Sequence, residues 1–162
     1  MSPARNCVVI PDDVDLADAA LVACGVSTGV GAVINVARAQ IGDDVAVLGV
    51  GGVGAAAIMG AHVAGASRII AIGVHDSKET AARELGATHF VNARTTDVAG
   101  AIDAITNRRG VDRIVLTLDR IFAEHVDNMF ECFMRRPLAQ PLPPSDGAAA
   151  GTTCVLTVGE VS

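Results

Sequence analysis

Short runs of consecutive apolar residues alternate along this chain with longer segments whose apolar residues recur at helical spacing. The run at residues 45–48 follows a Gly-Asp turn and is typical of a strand covered on both faces. Similar runs predict four further strands, at residues 68–72, 89–91, 111–118 and 152–158. Helical spacing with glycine stops predicts helices at residues 53–64, 77–85, 96–106 and 121–134. This alternation, with mostly short joints, predicts parallel strands in a doubly wound α/β sheet.

The segment before the first strand predicts two helices. Residues 15–21 have the apolar spacing of a short helix, and the hydroxyls of Ser27 and Thr28 are suitable caps for a second helix at residues 30–39. Gly, Asp or Arg interrupts the longest apolar stretches before they reach the ~18 residues of a membrane-spanning helix. We therefore expect a soluble protein without a membrane segment.

Charge and cysteine usage argue against several classes of protein. The net charge is −6 and the 12 Lys and Arg residues are scattered, which argues against nucleic acid as a partner. The cysteines, at positions 7, 24, 132 and 154, lack the close pairing of structural zinc sites, so we expect reduced thiols. The N-terminus has no long apolar core of a secretory signal, which makes a cytoplasmic location the expectation.

Residues 49–54 match the pattern G-x-G-x-x-G between a predicted strand and a predicted helix. In a dinucleotide site, Gly49 would form the turn, Gly51 would admit the pyrophosphate, and Gly54 would let helix and strand pack closely. Free amides at Gly52 and Val53 would favour a phosphate at the positive end of the helix. The alternative is a turn needed only for packing, but the strand before it and the helix after it favour the dinucleotide.

The end of the second predicted strand decides which dinucleotide is expected. An acidic residue there binds both ribose hydroxyls of NAD, but this chain has Gly73 at that position. Gly73 cannot repel a 2′-phosphate, and His75 and Lys78 offer positive charge nearby. NADP is therefore slightly favoured over NAD. The alternative is that both cations are ordinary loop residues and that Asp76 reaches back to bind NAD.

Several separated motifs together carry a resemblance to a known family. Residues 20–32, 49–54 and 65–71 resemble the coenzyme domain of zinc-dependent, medium-chain alcohol dehydrogenases, and residues 84–89 and 110–112 extend the similarity. The match is closest to the class III, glutathione-dependent formaldehyde dehydrogenase branch. The resemblance implies a Rossmann sheet of about five strands in the order 3-2-1-4-5, with the family's sixth strand missing. It also implies a boundary, with residues 1–41 as the junction to a catalytic domain and residues 42–162 as the dinucleotide-binding domain.

The resemblance also implies roles for individual residues. Cys24 corresponds to one of three protein ligands of the catalytic zinc, and Thr28 and Val53 correspond to positions that pack the nicotinamide ring. The amides of Gly52 and Val53 would hold the pyrophosphate, and Lys78 would touch the adenosine ribose. The family's other zinc ligands lie upstream of the first residue of this chain, so the zinc site is expected to be incomplete. No catalytic residue is assigned. Residues 116–119 depart from the family, which usually has a Glu and then a Gly there.

These observations predict the NAD(P)-binding portion of a zinc-type alcohol or aldehyde oxidoreductase that does not turn over alone. The expected partners are a nicotinamide dinucleotide and either a second subunit or a missing catalytic half. The alternative is a non-catalytic nucleotide-binding module or a gene remnant without activity. A short-chain dehydrogenase is excluded because its acid is a tyrosine and the chain has none. A methyltransferase fits the glycine spacing and the Cys24 motif poorly.

Overall fold

The computed structural model describes residues 8–117, in which four parallel strands form one sheet. The strands are β1 (Asp44–Leu48), β2 (Arg68–Gly73), β3 (His89–Asn92) and β4 (Arg113–Leu116), and they lie side by side in the order β3-β2-β1-β4. The predicted parallel α/β sheet is thereby confirmed, and the predicted order holds for these strands. The predicted helix at residues 121–134 and the predicted strand at residues 152–158 lie outside the described residues.

The strand order reverses at β1, which pairs with β2 on one side and with β4 on the other. Leu48 at the end of β1 is level with Ile72 on β2 and with Leu116 on β4. The chain therefore leaves all three strands at the same edge, next to the position where the strand order reverses. In open α/β sheets this edge is where ligands bind.

Within residues 8–117, four helices and a short 3₁₀ segment accompany the sheet. We label them α1 (Leu16–Val36), α2 (Gly52–Val63), α3 (Glu79–Glu84) and α4 (Val98–Thr106). The 3₁₀ segment, Asp76–Lys78, leads into α3, so this helix begins at Glu79, two residues after the predicted start at residue 77. Asp97 caps α4 by accepting a hydrogen bond from the amide of Gly100 (3.2 Å).

Helix α1 corrects the prediction of two separate helices before β1. It contains two π-helical stretches, Val22–Val26 and Ala32–Val36, and is continuous through Ser27. The Ser27 hydroxyl does not cap a new helix but donates to the backbone carbonyls of Ala23 (3.2 Å) and Cys24 (3.1 Å). A serine inside a helix has this alternative because the carbonyls of the preceding turn lie within reach of its hydroxyl.

Helix α1 is also longer and more apolar than we expected. Over an 18-residue window of its 21 residues the mean hydropathy is 1.8, so by length and composition α1 meets the criterion for a membrane-spanning helix, although Asp18 and Gly25 interrupt its apolar residues as predicted. Core helices of soluble proteins meet the same criterion. The end near the N-terminus is open to solvent, with Leu16 74% and Leu21 65% exposed, whereas Val33 near the other end is fully buried.

Apolar side chains cover both faces of the sheet, as predicted for β1. One core cluster joins Val45 and Val47 of β1 to α1, α2 and the region of α3, and the other joins Ala46 and Leu48 to α4. Because Val33 of α1 belongs to the first cluster, the second half of α1 shares its core with the sheet. The boundary between residues 41 and 42 stays a prediction.

Candidate functional site

The glycines of residues 49–54 have three different structural roles at the edge where ligands are expected. Gly49 has φ +97, a left-handed conformation that favours glycine, and its amide donates to the carbonyl of Ile72 (2.9 Å). A Cβ on Gly54 would overlap the Gly49 carbonyl and lie 2.8 Å from the Thr117 hydroxyl oxygen. Gly49 therefore forms the turn, and Gly54 allows the helix to pack against it.

Gly51 differs from both, because no packing requirement explains it in the part of the chain that the structure describes. A Cβ there would meet no atom within 4 Å, and its φ of −89 is accessible to any residue. The side chain would instead project into open space beside the turn. A cradle that a Cβ would partly fill is expected where a ligand approaches the backbone closely.

The first turn of α2 has backbone donors available for an anion. The amide of Ala55 donates to the carbonyl of Gly51 (2.8 Å), which is the first bond of this helix. Within residues 8–117, the amides of Gly52, Val53 and Gly54 donate to no acceptor. The positive end of the helix dipole adds to the attraction that free amides exert on a phosphate. The amides are therefore not already used within the described part of the protein.

A cavity of about 380 Å³ begins at this turn and extends across the ends of β1 and β2. Its lining includes the predicted residues Gly49, Gly51, Gly73, His75 and Lys78. Val98 of α4 and Thr117, which follows β4, close other sides. The described lining is mostly apolar and contains the cation Lys78 but no aspartate or glutamate. The fold thus brings together the glycine turn and the loop after β2, as the sequence predicted.

Asp76 lies in that loop but not in the cavity lining. Its carboxylate accepts a 2.6 Å hydrogen bond from the side-chain nitrogen of Asn92 at the end of β3. The Asn92 oxygen in turn accepts from the backbone amide of Arg94 (2.9 Å), which decides which end of the Asn92 amide faces Asp76. A carboxylate oxygen of Asp76 is thus engaged with β3.

Gly73 is the last residue of β2 and lies close to the side chains of Phe90 and Val50. A Cβ at this position would lie 3.1 Å from Cζ of the Phe90 ring and 3.4 Å from Cγ2 of Val50. The position that has an acid in NAD-binding relatives of this fold is therefore narrow here as well as uncharged.

The residues predicted for zinc and nicotinamide, Cys24, Thr28 and Val53, do not line this cavity. Cys24 is an exposed free thiol on α1, and residues 8–117 contain no group of three or more metal-binding side chains. One thiol does not provide the donor set of a catalytic zinc site, so the described residues do not fit the metal by themselves. Thr28 and Val53 are half-buried. Gly29, next to Thr28, packs against the first turns of α2, because a Cβ added to Gly29 would lie only 2.6 Å from the Cβ of Ala56.

Two residues at or beside the site have no role assigned from the sequence. Thr117 lines the cavity, and the sequence showed it only as part of a departure from the family. Asn92 holds Asp76 next to the cavity. Thr117 and Asn92 directly follow or end a strand at the carboxyl edge of a parallel sheet. That position was a usable signal, because such residues converge on one edge.

The parallel sheet, its reversal at β1 and the glycine turn into α2 define a Rossmann-like α/β domain. The family described as zinc-binding dehydrogenase matches residues 52–132, and this chain belongs to that family. An alcohol dehydrogenase of Malus domestica is 43% identical over 114 residues, which are 69% of this chain and 29% of that protein.

Solved structures agree with this assignment. The alcohol dehydrogenase TADH from Thermus sp. ATN1 is 27% identical, with a TM-score of 0.71 and coverage of 94% of this chain and 39% of that one. Benzyl alcohol dehydrogenase from Acinetobacter calcoaceticus is 28% identical, with a TM-score of 0.73 and coverage of 94% and 44%. The resemblance to zinc-dependent alcohol dehydrogenases is thereby confirmed at the level of the family. The chain spans 29% of the length of the Malus domestica relative.

Proposed function

We propose that this chain is the NAD(P)-binding portion of an alcohol dehydrogenase-like oxidoreductase. The observation that carries the proposal is the turn at residues 49–54, where Gly51 leaves open space and the amides of Gly52, Val53 and Gly54 have no acceptor among the described residues. The pyrophosphate would lie on these amides, and the adenosine would enter the adjoining cavity. A bound nicotinamide dinucleotide would supply hydride transfer.

We further propose that the dinucleotide is NADP rather than NAD. Three features support this choice: Gly73 has no side chain, Lys78 lines the cavity, and the described lining contains no carboxylate. In the alternative, Asp76 would have to bind the ribose of NAD from outside the cavity lining, while Asn92 holds one of its carboxylate oxygens. A 2′-phosphate near Lys78 meets a positive charge and, among the described lining residues, no carboxylate that would repel it.

The proposed catalytic partner is a segment or subunit that supplies the remaining zinc ligands. In this proposal Cys24 is one ligand of three, and the exposed apolar residues Leu16, Leu21 and Val22 of α1 are covered by the partner. Without it we expect no turnover, because zinc needs three protein ligands to hold an open fourth position for an alcohol oxygen. A dimer, the class III branch and a cytoplasmic location stay predictions.

A cofactor titration tests the proposed function directly. A ligand that binds only the folded state stabilises it by about 2.7 kcal/mol at a concentration of 100 Kd, so Tm should rise with NADPH concentration and less with NADH. S-adenosylmethionine serves as the comparison for a methyltransferase. If neither NADPH nor NADH at millimolar concentration shifts Tm or produces heat in calorimetry, the chain is a remnant and the proposal is wrong.

A further inference from the structure

Thr117 follows β4 directly and makes hydrogen bonds to the start of the glycine turn. Its hydroxyl oxygen lies 2.9 Å from the carbonyl oxygen of Leu48 and 3.1 Å from that of Gly49. The backbone amide of Thr117 also donates to the Leu48 carbonyl (2.9 Å). Leu48 therefore has a backbone donor already, and the Thr117 hydroxyl is the additional donor available to the carbonyl of Gly49.

The orientation of the Gly49 carbonyl is linked to that of α2. With Gly49 at φ +97, this carbonyl is turned toward Gly54, and a Cβ on Gly54 would overlap it. A Cβ on Gly54 would also lie 2.8 Å from the Thr117 hydroxyl oxygen. Thr117, the Gly49 carbonyl and the first turn of α2 are thus packed directly against one another. A displacement of the carbonyl would move the helix start that bears the free amides.

We propose that Thr117 is a positioning residue for the phosphate-binding turn. Its hydroxyl holds the Gly49 carbonyl and so keeps the amides of Gly52 and Val53 directed at the pyrophosphate. The inference rests on the proposed dinucleotide function and deepens it, because it assigns a role to a residue that touches the turn from a different strand. A hydroxyl lost without change of shape leaves the Gly49 carbonyl short of a donor and the turn free to adjust.

The test compares two ligands in the wild-type chain and in T117V, which keeps the shape of the side chain and removes the hydroxyl. NADPH uses the turn through its pyrophosphate, whereas adenosine uses only the cavity. We expect T117V to raise the Kd of NADPH about tenfold, equivalent to about 1.4 kcal/mol. Thr117 also lines the cavity, but valine keeps its shape there, so the Kd of adenosine should stay within twofold. T117S, which restores the hydroxyl, should bind NADPH within about threefold of the wild type.

Thr106 provides the matched control for loss of a threonine hydroxyl. It is fully buried at the end of α4, donates to the carbonyl of Ile102 (2.7 Å) and accepts from the amide of Gly110 (3.1 Å). T106V should lower Tm without changing the Kd of either ligand. If T117V does not fold, T117A removes the same hydroxyl from a smaller side chain and carries the same comparison.

The outcomes separate this inference from the proposed function. NADPH binding by the wild type together with unchanged NADPH affinity in T117V overturns the role of Thr117 alone. Equal weakening of NADPH and adenosine overturns it as well, because Thr117 would then shape the cavity and not the turn. A wild-type chain that binds no dinucleotide overturns both proposals.

Discussion

The side-chain amide of Asn92, at the end of β3, donates a 2.6 Å hydrogen bond to the carboxylate of Asp76, in the loop after β2. The backbone amide of Arg94 fixes the opposite end of the Asn92 side chain at 2.9 Å. Asp76 lies between two residues that line the cavity, His75 on one side and Lys78 two positions further along, but does not line it itself. The hydrogen bond from Asn92 thus holds the negatively charged carboxylate of Asp76 at a position outside the cavity lining.

Loss of the Asn92 amide should move cofactor preference toward NAD. In N92A the Asp76 carboxylate is free to approach a ribose, where it accepts hydrogen bonds from NAD hydroxyls and repels a 2′-phosphate. Since a typical intramolecular hydrogen bond contributes about 1 kcal/mol net, the ratio of the Kd values for NADPH and NADH should rise about fivefold. Calorimetric titration measures both constants.

The double variant N92A/D76A is the control for this effect. It lacks both the tether and the carboxylate, so its Kd ratio should return to the wild-type value. An equal change of both constants in N92A would contradict a role in selectivity.

Gly51→Val should abolish dinucleotide binding while leaving the fold intact. The added side chain meets no protein atom within 4 Å of its Cβ, so Tm should change by only a few degrees, but it enters the space proposed for the pyrophosphate. We expect the Kd of NADPH to rise at least about a hundredfold, since bound phosphate and side chain would overlap. Gly25 of α1 is a matched position that also has open space, and G25V should bind normally. NADPH affinity that survives in G51V would remove the basis for this site.

Gly73→Asp should shift preference from NADP to NAD, at some cost in stability. The carboxylate would face the ribose, but its Cβ would lie 3.1 Å from the Phe90 ring, which must move by a few tenths of an ångström. Overpacking of this kind costs about 1–3 kcal/mol, measured as a lower Tm. F90L relieves the contact, so G73D/F90L should regain Tm and keep the new preference. An unchanged ratio of NADPH to NADH affinity would mean that His75 and Lys78 do not contact the 2′-phosphate.

We expect the free energy of unfolding to decrease on mild acidification because of His89. Burial lowers the pKa of His89 from its usual 6.5, and the positive charges of Arg83 and Arg68 lower it further, against a smaller opposing effect of Asp44. Between the lowered pKa and 6.5 the unfolded chain binds more protons at this residue, so the free energy of unfolding rises with pH in that window. Thermal unfolding from pH 8 to pH 5.5 should therefore show a falling Tm. In H89Q the fall should be smaller, and an identical profile in both proteins would exclude this origin.

Local patterns along the chain were sufficient for the order of strands and helices. Continuous apolar runs predicted β1 and β2 because both faces of these strands are buried, a condition that each residue meets through its own hydrophobicity. The glycine turn and the absence of an acid at residue 73 were evident for the same reason, since each depends on residue type at a known offset from a strand. The prediction at Ser27 was wrong because packing against α2 continues through the point where local capping chemistry indicated a new helix.

The sequence by itself thus determined the four described strands, the glycine turn and the cavity residues that belong to the turn and to the loop after β2. Only the tertiary structure decided which residues around the cavity form hydrogen bonds with one another. Thr117 and Leu48 are 69 positions apart in the sequence, and Asn92 and Asp76 are 16 apart. Each pair comes together because the strands lie side by side. Thr117 reaches Leu48 because Leu116 is level with Leu48 in the sheet. Such alignment arises from the packing of whole elements, and hydrophobic periodicity within a single element does not encode it.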